Sequence, residues 1–99
     1  MAVKFTWDPK KAKQNLRRHK LSFKTGQQVF DDPFVRFSED RADDLTGEQR
    51  YHALGRAHSQ ALLLVVFVDR STDEQDDEFH IISVRKAEAY EEDAYSSQF

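Results

Sequence analysis

Apolar positions fall in short runs along this chain, and the period of each run predicts an element. Residues 3–6 alternate as a short strand does. Trp7-Asp8-Pro9 then marks a helix start: Asp8 can cap free N–H groups, Pro9 has no N–H to lose at the first helical position, and Trp7 can fold over Ala12. The helix is predicted to run to about His19. Ala12, Leu16 and His19 share one of its faces, and Lys10, Lys13, Arg17 and Lys20 much of the other, so its apolar stripe is thin. Ser22 caps a second predicted helix over residues 23–30, which turns Phe23, Val29 and Phe30 inward and ends before Asp32-Pro33. Gly26 weakens that helix by about 1 kcal/mol relative to Ala.

Strands dominate the second half. Residues 34–37 form a short strand, residues 38–47 a polar, acidic loop with Asp40, Asp43 and Asp44, and residues 49–57 another strand. In the latter, Tyr51, Ala53 and Gly55 point to one face and Arg50, His52, Leu54 and Arg56 to the other. Residues 61–68 are apolar at every position, which predicts a central strand covered on both faces. A polar loop over 69–77 leads to a strand over 78–84, which pairs with the central strand as a meander, and residues 86–95 read as a final helix. The predicted class is α+β: a small antiparallel sheet packed with two N-terminal helices and one C-terminal helix, in a single domain over residues 1–99.

Composition narrows the function. Eight Phe, three Tyr and one Trp supply a core despite 33% charged residues, and the absence of Cys excludes disulfides and thiolate metal sites. No stretch resembles a signal sequence, and the longest apolar run is far short of the roughly 20 residues that span a bilayer, so a cytoplasmic protein without membrane contact is expected. The net charge of −3 conceals an asymmetry, with +7 over residues 1–24 and −10 over the remainder. A basic segment on an acidic body can hold a polyanion at one surface, although it can also be no more than the solvated face of a helix.

Several chemistries are disfavoured. The acidic run from Asp69 to Asp77 lacks the Gly and terminal Glu of a calcium loop, and His19, His52, His58 and His80 show no paired metal-ligand spacing, so no metal or other cofactor is expected. A nucleophile elbow and a glycine-rich phosphate loop are both missing. What remains are cations on several elements: Arg18, His19 and Lys20 at a helix end, Arg50 and Arg56 on one strand face, and Arg85 and Lys86 where the last strand gives way to a helix. RNA cleavage by the substrate's own 2′-OH needs a positioned chain, a neutralised phosphorane and two proton transfers, which Arg, Lys, His and Glu can supply. Salt bridges to the abundant Asp and Glu explain the same residues equally well.

The chain also resembles the BrnT-type toxins of bacterial toxin–antitoxin pairs. The resemblance rests on Phe5-Thr6-Trp7-Asp8-Pro9-Lys10-Lys11-Ala12, Asn15, Arg18-His19, Leu21-Ser22-Phe23, Val29-Phe30-Asp31-Asp32-Pro33, Gly47-Glu48-Gln49-Arg50, Leu54-Gly55 and Ile81-Ile82-Ser83-Val84-Arg85-Lys86-Ala87, followed by Glu91 and Tyr95, in collinear order. The chain departs from the family pattern at Lys20, where Gly is usual, at His80, where Arg is usual, and at Lys24-Thr25-Gly26, where acidic residues are usual. The resemblance implies a RelE/ParE-like fold and a metal-independent endoribonuclease that inhibits translation. It further implies neutralisation by a BrnA-like ribbon-helix-helix antitoxin, through which the complex binds operator DNA. By the same resemblance Arg85, assisted by Lys86, and Arg50 would bind the phosphate or transition state, and Glu48 and His80 would move protons. Arg18, His19, Lys20 and Arg56 would contact RNA or the antitoxin. The other reading is a non-cleaving homologue that serves as an antitoxin- or nucleic-acid-binding module.

Overall fold

The computed structural model describes residues 3–72 and 77–99. The chain runs β1 (Val3–Thr6), α1 (Pro9–His19), α2 (Phe23–Gln27), a 3₁₀ turn (Gln28–Asp31), β2 (Arg36–Ala42), β3 (Gln49–Arg56), β4 (Leu62–Asp69), β5 (Asp77–Lys86) and α3 (Ala89–Ser96). The strands form one sheet in the order β1-β5-β4-β3-β2, so the uniformly apolar β4 lies in the middle, as its sequence predicts. The polar loop expected over 69–77 falls in part, at 73–76, outside the described residues.

Two helix starts follow the sequence closely. Asp8 accepts from the Lys10 N–H at 2.9 Å with Pro9 behind it, and Ser22 accepts from the Thr25 N–H at 3.0 Å. The second helix is shorter than predicted: its last turn tightens into the 3₁₀ segment, which carries Val29 and Phe30 under the sheet. Gly26 is there for space, since a Cβ at that position would lie 2.4 Å from a methyl of Val84.

Four expectations need correction. The sheet is mixed, because β1 pairs in parallel with β5, Phe5 opposite Phe79 and Thr6 opposite His80; only β2 to β5 are antiparallel neighbours. Strand β2 extends to Ala42, into the stretch predicted as a loop; as an exposed edge strand it needs no apolar alternation. Strand β5 continues through Lys86, opposite Leu63, and α3 begins only at Ala89. Finally, Leu16 is half exposed, and the inward residue of α1 is Asn15.

The register divides the sheet into two faces. One carries Ala53, Val65, Phe67, Ile81 and Val84, packs beneath Phe23 and Val29, and forms the main core. The other carries Leu54 and Leu64 beneath Tyr95 of α3 at one end and is polar towards the other. Among the described residues no helix is long and apolar enough to cross a membrane.

Candidate functional site

The polar end of the second face is built in rows. Thr6, His80, Val68 and Arg50 stand opposite one another on β1, β5, β4 and β3. Ser83, Val66, His52 and Ser38 form the next row. Directly opposite residues project to the same side, so His80 and Arg50 flank Val68 with Cα atoms roughly 10 Å apart, two strand spacings.

His80 is half-buried, and its Nδ1 lies 2.8 Å from the Thr6 hydroxyl. Burial pushes its pKa below the usual histidine value, and the positive charges of Arg70 and Lys11 push the same way against the opposing Glu48 and Asp8. The imidazole is therefore neutral at pH 7. The hydroxyl suits either tautomer, accepting when Nδ1 carries the proton and donating when Nε2 does. One fixed ring can thus both take up and return a proton.

Two arginines accompany it. Arg70, which the sequence reading passed over, holds Glu48 through Nε and one terminal nitrogen at 3.4 and 3.3 Å. Its only signal in the sequence is its place, immediately after the central strand and its closing Asp69. Arg50 donates to Asp43 at 2.8 Å, while its Nε is buried and finds no partner among the described residues. Asp43 also accepts from the Leu45 and Thr46 N–H groups at 2.9 and 3.0 Å. These two N–H donors, with Arg50 adding to them, lower the Asp43 pKa to about 2, so the turn below Arg50 carries a fixed negative charge at neutral pH. Nearby, His52 lies 3.2 Å from Asp40.

Of the residues singled out from sequence, Arg50 and His80 share one row of this face two strands apart, and Glu48 is near enough for its charge to act on His80. Arg18 and His19 lie along the β5 edge of the same face, where they line a cavity with Ser83. The others lie elsewhere. Arg85 faces α3 and makes a bidentate pair with Glu91, 2.8 and 2.9 Å. Burial alone would raise the Glu91 carboxyl, but Arg85 and the Glu88 N–H outweigh it and hold the pKa below the usual carboxylate range. Lys86 is the next residue of the same strand and projects to the opposite face, so it does not assist Arg85. Arg56 sits at the far end of β3, 5.2 Å from the centre of the Tyr95 ring and about 20 Å along the strand from Arg50. Lys20 closes α1 in the left-handed region at φ 60°, a position that favours Gly. Among the described residues no group of three or more His, Asp or Glu side chains gathers as metal ligands do.

A five-stranded α+β protein that presents a histidine, a carboxylate and paired arginines on an open sheet face has the equipment for general acid–base work on an anionic substrate. The comparisons name the family: the chain belongs to the ribonuclease toxins, BrnT, of type II toxin–antitoxin systems, whose model matches residues 7–91. The crystal structure of the Brucella abortus ribonuclease toxin, BrnT, has the same fold, with a TM-score of 0.63 at 21% identity over 88% of this chain and 99% of that one. The comparison with curated proteins finds no match.

Proposed function

We propose that this chain is an endoribonuclease toxin that cleaves RNA by in-line attack of the substrate's 2′-OH, without a metal or other cofactor, and so stops translation. Membership of the BrnT family over residues 7–91 carries this reading. The cluster around His80 supplies a chemistry for it. Neutral His80 takes the 2′-OH proton as that oxygen attacks phosphorus, and Arg70 and Arg50 balance the charge of the phosphorane. The departing 5′ oxygen receives the proton that His80 has taken up, while Glu48, held as a carboxylate by Arg70, favours the protonated ring through its charge. Arg85 acts at a distance here, as a positioning residue that fixes α3, and Lys86 and Arg56 lie outside the reacting centre.

The rest of the reading follows from the resemblance. Residues 1–99 act as one RelE/ParE-like domain in the cytoplasm, where the RNA is. A BrnA-like ribbon-helix-helix antitoxin neutralises it and carries the pair to operator DNA. Growth arrest on expression, relieved by such a partner, tests this part.

Cleavage is tested with purified full-length protein and labelled RNA in excess EDTA. Fragments ending in a 2′,3′-cyclic phosphate and beginning with a 5′-OH are expected. Intact RNA, or fragments with 5′-phosphates, would refute the mechanism. Ion pairing favours a second reading: Arg50, Arg70 and Arg85 each already hold a carboxylate. A toxin homologue that binds antitoxin or nucleic acid without cutting needs no free arginine there, and RNA binding without cleavage would select it.

A further inference from the structure

Helix α1 lies along the edge of β5 where β1 has ended. Asn15 fixes it there, with its amide donating to the Val84 carbonyl at 2.9 Å and its oxygen accepting from the Val84 N–H at 3.1 Å. Residues one turn before and one turn after Asn15 on the same helix face are Lys11 and Arg18. The anchoring therefore turns both cations towards β5. With Gln14, His19 and Ser83 they line a cavity of about 220 Å³ between helix and strand.

Three observations say what this groove suits. First, Lys11 and Arg18 are exposed and make no ion pair among the described residues, whereas Arg50, Arg70 and Arg85 each hold a carboxylate. The uncompensated positive charge beside the site therefore lies on α1. Second, Ser83 belongs to the open face, in the row next to that of His80, so the groove opens onto the reacting centre. With the bulge between them, the two residues stand roughly 7 Å apart, the spacing of Val68 and Val66 opposite them. A bulge between the pairings of Val66 and Phe67 leaves Ile82 without a partner on β4 and bends the strand between them. Third, the donors are mixed: a guanidinium fork and an ammonium suit a phosphate, while a hydroxyl and an amide suit a ribose.

We infer that the groove between α1 and β5 binds the sugar–phosphate backbone of single-stranded RNA next to the nucleotide at His80, with Lys11 and Arg18 each on one of two flanking phosphates and Ser83 and Gln14 as neutral partners. The inference rests on the ribonuclease reading and extends it to substrate length and strandedness. In-line attack needs a nucleotide released from A-form geometry, and a groove beside the centre holds the neighbouring backbone of such an unpaired strand.

Binding can be measured apart from cleavage with fluorescent single-stranded oligonucleotides whose 2′-OH groups are all methylated, since these lack the nucleophile. For the full-length Lys11→Ala/Arg18→Ala variant, affinity should fall roughly tenfold, and the slope of log affinity against log salt should flatten by about 1.4, two phosphate contacts on a single strand. Parent-like affinity and slope in the variant would overturn the inference. So would loss of binding to poly-glutamate with oligonucleotide binding intact, which would make the groove a protein-docking surface. If the parent binds the methylated strand in this α1-dependent way yet cuts no RNA, the groove stands and only the cleavage reading fails.

Discussion

The side chain of Asn15 completes a β-ladder. Its amide meets both backbone groups of Val84, at 2.9 and 3.1 Å, as a neighbouring peptide would, and a third bond of 3.0 Å reaches the Leu21 carbonyl beyond the end of α1. Strand β1 covers the β5 edge only from Asp77 to His80, so without Asn15 the buried peptide groups of Val84 would have no such partner. One side chain thus joins the basic helix, the sheet and the turn into α2.

Asn15→Ala should therefore cost about 2–4 kcal/mol, two buried backbone groups losing their partner. The expected signature is a lower urea midpoint with an unchanged slope. Asn15→Leu, which fills space without donating or accepting, should do no better; a Leu variant as stable as the parent would contradict this role.

Arg85→Ala should cost about 2–4 kcal/mol, because it leaves the Glu91 carboxylate, 8% exposed, without its counter-ion. The discount from the fully buried case reflects Arg85's own 26% exposure. Replacing both partners, as in Arg85→Met/Glu91→Leu, should recover most of the loss. That double variant should also keep cleaving RNA. If it folds like the parent but is inactive, Arg85 touches the substrate after all.

His80 links pH to both stability and rate. Its folded pKa lies below the ordinary value of 6.5, so in the window between the two the unfolded chain binds a proton that the folded chain does not. Stability is then complete above pH 6.5 and falls as pH drops through that window. Denaturant titrations at pH 5.5 and 7.5 should show a smaller difference for His80→Gln than for the parent; equal differences would rule out the linkage. In the ribonuclease reading the acidic limb of kcat/KM should also lie below 6.5 and vanish in His80→Gln, with a loss of roughly 10²–10⁴ in rate.

Gly26→Ala should destabilise by about 1–3 kcal/mol, although Ala is the better helix former, because the new methyl would sit 2.4 Å from Cγ2 of fully buried Val84. A second change, Val84→Ala, should relieve the crowding, so the two effects should combine to less than their sum. Strict additivity in this double-mutant cycle would argue against the contact.

Asp8, Pro9 and Ser22 determine their helix starts through groups two or three residues away, and the unbroken run 61–68 is apolar because its strand is the central one of the sheet, flanked on both sides by other strands; such local causes are legible in the sequence alone. The alternation in β3, with Arg50 and His52 on one face and Tyr51 and Ala53 on the other, is of the same kind. Tertiary structure decided what depends on distant partners. The part of β2 over residues 38–42 looks like a loop until β3 pairs with it, and Lys86 looks like a helix start until it stands opposite Leu63. Asn15 is an ordinary polar helix residue until Val84, 69 positions away, needs its amide. Arg85 and Arg70 are bare cations until Glu91 and Glu48 are brought to them, the second across 22 positions. Identity and local pattern determine which groups a chain carries and which way a strand turns them, but the charge a group presents to a substrate depends on which counter-charge the sheet register sets beside it.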